Sequence, residues 1–310
     1  MERHWSQFLK LGIVHPMMFP QTIKGEGPML ETLGHVLMDP IWEIVAIRPP
    51  NDLSLREAMV AMLSQAHVQT AFVATMPMMA QDIRLSALDE PTRLAAVEST
   101  KKLVDEAYFF HCPTMMIASD KDPGPGLRDK ARAALTRSII ELCRYARSKA
   151  SNYTLKLVIE NFDRDIEKKF LIGPTHEAVE IANEVCRETP NFGICLDTSH
   201  LTLLGETLAQ AYQMAKLHVV EVHLANCTFR NPHDPLYGDN HPRFGYPGGE
   251  YDAPQVAACL RELFGVGYLD AKGERSKPPV IFEVKPAPGE SSDMVLAGTK
   301  RVFMEAWVIL

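Results

Sequence analysis

Short apolar runs of strand length alternate along the chain with longer segments in which apolar residues recur every three or four positions. An apolar run of about four to eight residues is typical of a strand buried on both faces of a parallel sheet. The pattern predicts strands at residues 11–15, 42–48, 70–77, 113–119, 155–160, 192–197, 219–223 and 280–283. It predicts helices at residues 28–39, 55–65, 90–110, 127–150, 174–187, 206–216 and 291–307, with another beginning near residue 253.

The repeated alternation of strand and helix predicts the fold class. Strands that alternate with helices through short connections favour an α/β protein in which the parallel strands close into a (β/α)8 TIM barrel. A doubly wound open sheet is the alternative that the same pattern allows. The 310 residues are a normal length for one barrel with insertions. We therefore expect a single domain over residues 1–310.

The connection after the seventh predicted strand is unusually long. Residues 226–252 show neither strand nor helix periodicity, and they are rich in Pro, Gly, Asn and Asp. Long connections of this kind usually belong to a binding site or are disordered. Four aromatic residues favour an ordered lid over a flexible linker: Tyr237, Phe244, Tyr246 and Tyr251.

Composition narrows the functional class. The net charge is -7, and no cluster of Lys and Arg is evident, which argues against a nucleic-acid partner. The six cysteines are scattered without a CxxC spacing, as expected for free thiols in a reducing compartment. No apolar run reaches the roughly 18 residues of a membrane span, and the first residues do not resemble a signal peptide. We expect a cytoplasmic enzyme that acts on small molecules and does not bind a membrane.

Candidate chemistry lies where the last four predicted strands end. Glu160, Asp197, His223 and Glu283 each follow an apolar run. In a parallel barrel the carboxyl ends of the strands meet at one rim, so these side chains are expected to converge. Three carboxylates and one imidazole suit a divalent ion such as Mn, Mg or Co, and zinc is also compatible. Any one of them alone is more often a solvated strand-end residue, but four in succession favour a metal site.

The same residues resemble a known family. Glu160, the run Asp197–His200, His223 and the run 282–285 are similar to motifs of the xylose isomerase-like sugar isomerases and epimerases. That group includes ketose 3-epimerases and hydroxypyruvate isomerase, with endonuclease IV as a distant relative. The resemblance spans essentially the whole predicted barrel. It implies one metal ion bound by the four strand-end residues, and assembly as a dimer or tetramer.

The resemblance also implies roles in catalysis. Glu160 and Glu283 would flank the substrate as an acid/base pair, and His200 would bind a substrate oxygen. A metal ion that binds a carbonyl and the adjacent hydroxyl acidifies the carbon-bound proton between them, so that an enediolate forms. A proton returned to the opposite face inverts that carbon, whereas return to the neighbouring carbon isomerises the sugar. We therefore predict a metal-dependent isomerase or epimerase of carbohydrate metabolism that acts on a ketose or keto-sugar derivative.

Five further residues are candidates for substrate binding. His15 lies at the end of the first predicted strand, and Lys285 lies two residues after Glu283 on the same side of the chain. The long connection adds cationic side chains that could bind a phosphate, a carboxylate or a second sugar ring: Arg230, His241 and Arg243. For each residue, ordinary packing or solvation is the competing interpretation.

Departures from the family pattern keep other functions open. Ketose 3-epimerases have an arginine about six residues after the metal histidine, where this chain has Phe229 followed by Arg230, so a larger or derivatised sugar is an alternative to a free ketose. A lyase that eliminates the aglycone from a 3-keto-glycoside, as C-glycoside deglycosidases do, is the first alternative. Such lyases have a histidine beside the first metal glutamate, where this chain has Ile159 and Asn161. An endonuclease IV-like phosphodiesterase, which would need more metal ligands and a basic groove, and a sugar-binding barrel without a metal are weaker alternatives.

Overall fold

The strands form a closed parallel barrel. The computed structural model describes residues 3–274 and 276–310. Eight strands pair in chain order, and the eighth pairs with the first. They are β1 (Lys10–Val14), β2 (Ile44–Ile47), β3 (Gln69–Val73), β4 (Thr114–Ile117), β5 (Lys156–Glu160), β6 (Phe192–Asp197), β7 (Val219–Ala225) and β8 (Pro279–Glu283). The predicted TIM barrel is confirmed, and the open sheet is excluded.

Helices surround the barrel and cap its carboxyl-terminal end. They are α1 (His15–Met18), α2 (Met29–Leu37), α3 (Arg56–Ala66), α4 (Thr75–Ala80), α5 (Glu90–Phe109), α6 (Arg128–Lys149), α7 (Thr175–Glu188), α8 (Thr198–Leu204), α9 (Leu208–Ala215), α10 (Ala253–Gly265) and α11 (Ser292–Val308). Within the described residues, no helix has both the length and the apolar character needed to traverse a bilayer.

Local sequence explains where several helices begin. Asp89 accepts a hydrogen bond from the backbone N–H of Thr92 and so caps α5, which has a proline in its first turn. Capping boxes begin α9 at Thr207 and α10 at Asp252, each with a glutamine three residues later. These caps satisfy backbone N–H groups that have no partner inside a helix.

The third predicted strand extends furthest beyond its observed end. The apolar pattern predicts that the third strand continues to Pro77, whereas β3 ends at Val73 and residues 75–80 form α4. Pro77 lies in the first turn of this short helix, where a missing backbone N–H costs no intrahelical hydrogen bond. The run of methionines fits either conformation, so apolar character alone could not locate the boundary.

The core has an inner and an outer layer. Inside the barrel, β1, β2, β3 and β8 contribute Val14, Ala46, Val73 and Ile281 to one apolar cluster. A larger cluster fills the space between the strands and the surrounding helices. Alternation along each strand puts every second side chain inside the barrel, and at the carboxyl ends of β5 to β8 these inward side chains are polar. The inward-facing polar side chains are therefore concentrated in one sector of the carboxyl-terminal rim, at the ends of β5 to β8.

Candidate metal centre

Four side chains converge at the carboxyl ends of β5 to β8. Asp197 of β6 is the register partner of His223 on β7, and Glu160 and Glu283 end the strands on either side. One ligand-type atom from each of the four residues lies within 4.8 Å of the others. The geometry thus brings together the residues that the strand-end pattern singled out.

Individual contacts show how the group is arranged. His223 Nδ1 lies 2.9 Å from Glu283 Oε2 and 3.9 Å from Asp197 Oδ2. Asp197 Oδ1 accepts a 2.7 Å hydrogen bond from the backbone N–H of Ser199 and so caps α8. Glu160 Oε1 and Asp197 Oδ2 are buried without a hydrogen-bond partner among the described residues. Buried polar atoms usually have partners, so these two oxygens are available as ligands.

The electrostatics of the group fit a divalent cation. Burial raises the pKa of Glu160 well above its ordinary value, and the neighbouring Glu283 carboxylate adds to that effect. Burial also raises the pKa of Asp197, against the influence of His200 and His241. Burial of several carboxylates together is costly unless a positive charge balances them. A bound divalent ion would supply that charge, and the oxygen-rich donor set fits it.

A buried carboxylate and a thiol lie behind the metal-facing histidine. His223 Nε2 lies 3.6 Å from Glu221 Oε1, and Cys195 forms a group of close ligand-type atoms with Glu160 and His223. Glu221 precedes His223 by two residues on β7, so both side chains point into the barrel. At this distance the pair is not a hydrogen bond, and His223 Nε2 has no hydrogen-bond partner among the described residues, whereas Nδ1 faces Glu283 and Asp197.

A second polar group lies beside the first and centres on Asp239 of the long connection. His241 Nε2 lies 3.0 Å from Asp239 Oδ1, and His200 Nδ1 lies 3.3 Å from the same oxygen without hydrogen-bond alignment. Lys168 Nζ lies 3.0 Å from Asp239 Oδ2. His200 also connects the two groups, because its Nε2 lies 3.6 Å from Glu160 Oε1.

Charges in this second group are balanced by its own residues. Burial alone would raise the pKa of Asp239, but His200, His241 and Lys168 hold it well below its ordinary value. Burial opposes a charge on His241, yet the Asp239 carboxylate raises the pKa of His241 to about 10. His200, Asp239 and His241 also meet the distance requirement for a metal site. Because Lys168 already neutralises Asp239, we interpret the group as one that orients two imidazoles.

The predicted substrate-binding residues are placed differently. His200 and His241 lie beside the metal centre, and the backbone N–H of Lys285 donates a 2.7 Å hydrogen bond to the carbonyl of His241. His15 is fully buried and lies 2.9 Å from Thr32 Oγ1 through its Nε2.

The two arginines of the long connection point elsewhere. The Arg230 side chain is 76% exposed and forms an ion pair with Glu250. Arg243 forms an ion pair of 2.8 Å with Glu290, before α11. Substrate binding by these arginines remains a prediction.

The long connection is ordered around one side chain. Asn226 Oδ1 accepts hydrogen bonds from the backbone N–H groups of Cys227, Glu250 and Tyr251, and its Nδ2 donates to the carbonyl of Arg243. Both ends of the connection are therefore held at the end of β7. The loop between them brings Asp239 and His241 to the metal centre.

Sequence reasoning missed three residues of the site: Lys168, Glu221 and Asp239. A signal existed for Glu221 alone, which precedes His223 by two residues in a strand. Asp239 lies in a turn and His241 has a positive φ of 49°, so their spacing gave no such signal. Side chains two residues apart in extended backbone point to the same side. No comparable signal marked Lys168, which lies in the connection after β5.

The sequence also identifies the family. The family description "Xylose isomerase-like TIM barrel" matches residues 38–271, more than half of the chain. The chain belongs to this family. No curated protein matches the sequence of this xylose isomerase-like barrel significantly.

Solved structures share the fold at low sequence identity. A D-tagatose 3-epimerase-like protein is 13% identical over 97% of this chain and 98% of its own, with a TM-score of 0.70. The IOLI protein, solved with a binding zinc atom, is 15% identical over 96% and 98%, with a TM-score of 0.70. The E. coli 3-keto-D-glucoside 4-epimerase is 14% identical over 94% and 99%, with a TM-score of 0.65. At these identities the likeness establishes the fold alone.

Proposed function

We propose that this xylose isomerase-like barrel is a divalent-metal-dependent isomerase or epimerase of a ketose or keto-sugar derivative. The observation that supports the proposal best is the convergence of Glu160, Asp197, His223 and Glu283, with two unpartnered buried carboxylate oxygens facing the group. Family membership and the sugar epimerases among the structural neighbours agree with it. Mn, Co or Mg suits the donor set best, and the zinc-containing neighbour is consistent with zinc.

The chain supplies both groups needed to move a proton. Glu160 and Glu283 come from β5 and β8, on opposite sides of the ligand group, so a sugar between them would present one face to each. In the proposed reaction one glutamate removes the proton beside the carbonyl, and the other returns it. A bound divalent ion would supply Lewis-acid polarisation of the sugar oxygens. Because all four side chains are buried or nearly so, bulk water is kept from the reacting carbon.

His200 and His241 would orient the substrate. The His200 imidazole lies next to Glu160 and packs against the Phe162 ring, with centroids 4.3 Å apart. Asp239 contacts both imidazoles and limits their rotation. Two fixed imidazoles beside the glutamates can hydrogen-bond sugar hydroxyls and present one carbon to the base.

The two alternative functions, a lyase and a phosphodiesterase, would each need further residues around the candidate metal centre. A lyase acting on a 3-keto-glycoside would need the same metal and base, and the residues that flank Glu160 offer no imidazole. Ile159 packs in the outer core, and the Asn161 side chain donates to the carbonyl of Gly173. A phosphodiesterase would need a multi-metal cluster, whereas Lys168 already balances Asp239. These observations favour proton transfer on a sugar.

Deuterium exchange tests the proposed function. The metal-loaded protein would be incubated in heavy water with D-tagatose, D-fructose and methyl 3-keto-β-D-glucopyranoside, followed by mass spectrometry and NMR of the sugars. We expect deuterium on a carbon next to the carbonyl, together with an epimer or isomer. Glu160→Gln and Glu283→Gln should each lower the exchange rate by at least about a hundredfold, because each removes one proton-transfer group.

Glu188→Gln is the matched control. Glu188 ends α7, and its exposed carboxylate pairs with Arg144 on the surface. This variant should exchange deuterium at the wild-type rate. Release of an aglycone without an epimer would support the lyase instead. Absence of exchange with every sugar, from a folded and metal-loaded protein, would refute the proposal.

A further inference from the structure

A second set of ligand-type atoms overlaps the candidate metal centre and extends deeper into the barrel. Glu160, Cys195 and His223 present a carboxylate oxygen, a sulfur and an imidazole nitrogen that all lie within 4.8 Å of one another. Cys195 is the register partner of Glu160 on β5 and of Glu221 on β7. Asp197, two residues later on β6, is instead the partner of His223. The Cys195 thiol therefore lies one level deeper than the Asp197 carboxylate.

The His223 imidazole turns one nitrogen to each level. Its Nδ1 faces Glu283 and Asp197, at 2.9 and 3.9 Å. Its Nε2 lies 3.6 Å from Glu221 Oε1, which is beyond hydrogen-bond distance, and has no hydrogen-bond partner among the described residues. His223 is fully buried, so bulk water does not reach this nitrogen. Because buried polar atoms usually have partners, Nε2 is available as a ligand at the deeper level.

Two carboxylates complete the deeper set. Glu160 is 3% exposed, and its Oε1 has no hydrogen-bond partner among the described residues. Glu221 is 2% exposed and points into the barrel beside Cys195. One sulfur, one nitrogen and two carboxylate oxygens are four donors of the kinds that Zn²⁺ takes in tetrahedral protein sites.

The surroundings of the sulfur favour a soft ion without bound water. Cys195 packs with Met116 and Val158 inside the barrel, and none of the three is more than 4% exposed. Mg²⁺ usually keeps several waters, and both Mg²⁺ and Mn²⁺ prefer oxygen ligands, whereas Zn²⁺ binds thiolate readily. The deeper set therefore discriminates against the ions that suit the oxygen-rich set at the rim.

We propose that the deeper level is a second cation position, selective for Zn²⁺ over Mn²⁺ and Mg²⁺, with four ligands: Cys195, His223 through Nε2, Glu160 and Glu221. Binding releases the thiol proton to solvent, because the thiolate is the ligand. The identity of the ion then decides which face of the His223 imidazole is used. This inference rests on the proposed function only for the metal-binding character of Glu160 and His223, and it is independent of the sugar.

Cobalt spectroscopy tests the second position, since Co²⁺ enters tetrahedral zinc sites and absorbs light. Chelator-treated wild type titrated with Co²⁺ should develop an intense sulfur-to-cobalt charge-transfer band in the near ultraviolet, and added Zn²⁺ should abolish it. Cys195→Ala should lack the band and bind Zn²⁺ at least about tenfold more weakly. The same variant should keep the wild-type affinity for Mn²⁺, which also shows that it is folded.

Cys112→Ala is the matched control, because Cys112 is an equally buried thiol that precedes β4 at the opposite end of the barrel. It should keep the band. Cys195→Ser, which nearly preserves the side-chain volume, gives the same reading if the alanine variant does not fold.

The outcomes separate this inference from the proposed function. No Co²⁺ binding by wild type, binding without the band, a band that persists in Cys195→Ala and Cys195→Ser, or a band lost in Cys112→Ala would overturn the second position. Failure of the proposed function would look different: no deuterium would enter any sugar, while the cobalt band and its loss on substitution of Cys195 would remain.

Discussion

Asp239 is the residue that links the long connection to the metal centre. Its carboxylate accepts a hydrogen bond from Ser199, contacts both His200 and His241, and pairs with Lys168. It does not belong to the four-residue ligand group. Its role in our account is to position the imidazoles, so its loss should separate substrate handling from metal binding.

Asp239→Asn tests that role. The substitution should leave one bound metal ion per chain while lowering kcat/KM on a substrate by about 10- to 100-fold, because the imidazoles lose their common partner. The Lys168 ammonium would keep Glu167 and the Asp239 backbone carbonyl but lose the Asp239 carboxylate, which should also destabilise the fold by about 2 kcal/mol. Metal analysis, kinetics and denaturant unfolding measure the three effects. Asp165→Asn, in an exposed position of the connection after β5, is the control. Loss of the metal ion from Asp239→Asn would contradict a positioning role.

His15 predicts a pH dependence of stability. Burial lowers the pKa of His15 from 6.5 to about 4. As the pH falls through 6.5, His15 therefore takes up a proton in the unfolded chain, whereas in the folded chain it stays neutral until about pH 4. The contribution of His15 to the free energy of unfolding is complete above the unfolded pKa. It is lost as the pH falls below that value, by about 3 kcal/mol in total. Urea unfolding of wild type and His15→Gln across this pH range should show that extra loss only in the wild type. Parallel pH curves would show that His15 does not carry the effect.

At the scale of elements, an irregularity in strand pairing precedes His223 of the candidate metal site. The register between β6 and β7 shifts at Ile194 and Cys195, so that β7 contains an extra residue at Val220. Such bulges redirect the side chains that follow. A Cβ atom on Gly193 would lie 2.1 Å from Val220 Cγ2 and 2.8 Å from the His218 carbonyl oxygen. Position 193 of β6, which lies opposite the bulge in β7, therefore requires glycine.

Gly193→Ala should disturb both stability and the site. We expect a loss of about 1–3 kcal/mol in the free energy of unfolding, because a backbone carbonyl must move to admit the methyl group. Metal affinity should fall as well, since β7 holds His223 three residues after the bulge. Gly298→Ala, inside α11 with no atom within 4 Å of the new Cβ, should instead be neutral or stabilising by up to about 1 kcal/mol. Equal stabilities for the two variants, from denaturant unfolding, would refute the requirement.

The eight strands and the ends of β5, β6 and β8 could be predicted from sequence, whereas the connections could not. Glu160, Asp197, His223 and Glu283 each follow an apolar run, and the closure of the barrel then brings strand ends to one rim. The path of residues 226–252 depends on tertiary contacts such as those of Asn226, which no periodicity encodes. Lys168 could not be found for the same reason. The predicted end of β3 was wrong because a methionine-rich sequence fits a strand or a short helix equally well.

At the scale of the whole molecule, the barrel provides a rigid frame and the connections provide specificity. The family membership accounts for the barrel frame. A cavity of about 510 Å³ is lined by residues that follow β3, β4 and β5, and its lining includes none of the four candidate metal ligands. In the proposed function, the strand ends would provide the proton-transfer chemistry and the connections would determine the substrate.

Metal binding should stabilise the entire fold. An ion that binds only the folded chain raises the free energy of unfolding by about 2.7 kcal/mol at a hundred times its Kd. Removal of metal by EDTA should therefore lower the Tm of wild type, and added Mn²⁺ should restore it. Glu188→Gln should respond as wild type does. A Tm that is insensitive to chelator and to Mn²⁺ would contradict a folded-state metal site.

The most direct test of the account is the metal stoichiometry of wild type and Asp197→Asn, measured by calorimetric titration of Mn²⁺ into chelator-treated protein. Asparagine keeps the side-chain oxygen that caps α8 and removes the charge of the unpartnered Asp197 Oδ2. The account predicts one Mn²⁺ per wild-type chain and binding weakened by at least about a hundredfold in the variant. Unchanged affinity in Asp197→Asn, or no binding by folded wild type, would contradict the assignment of the metal centre.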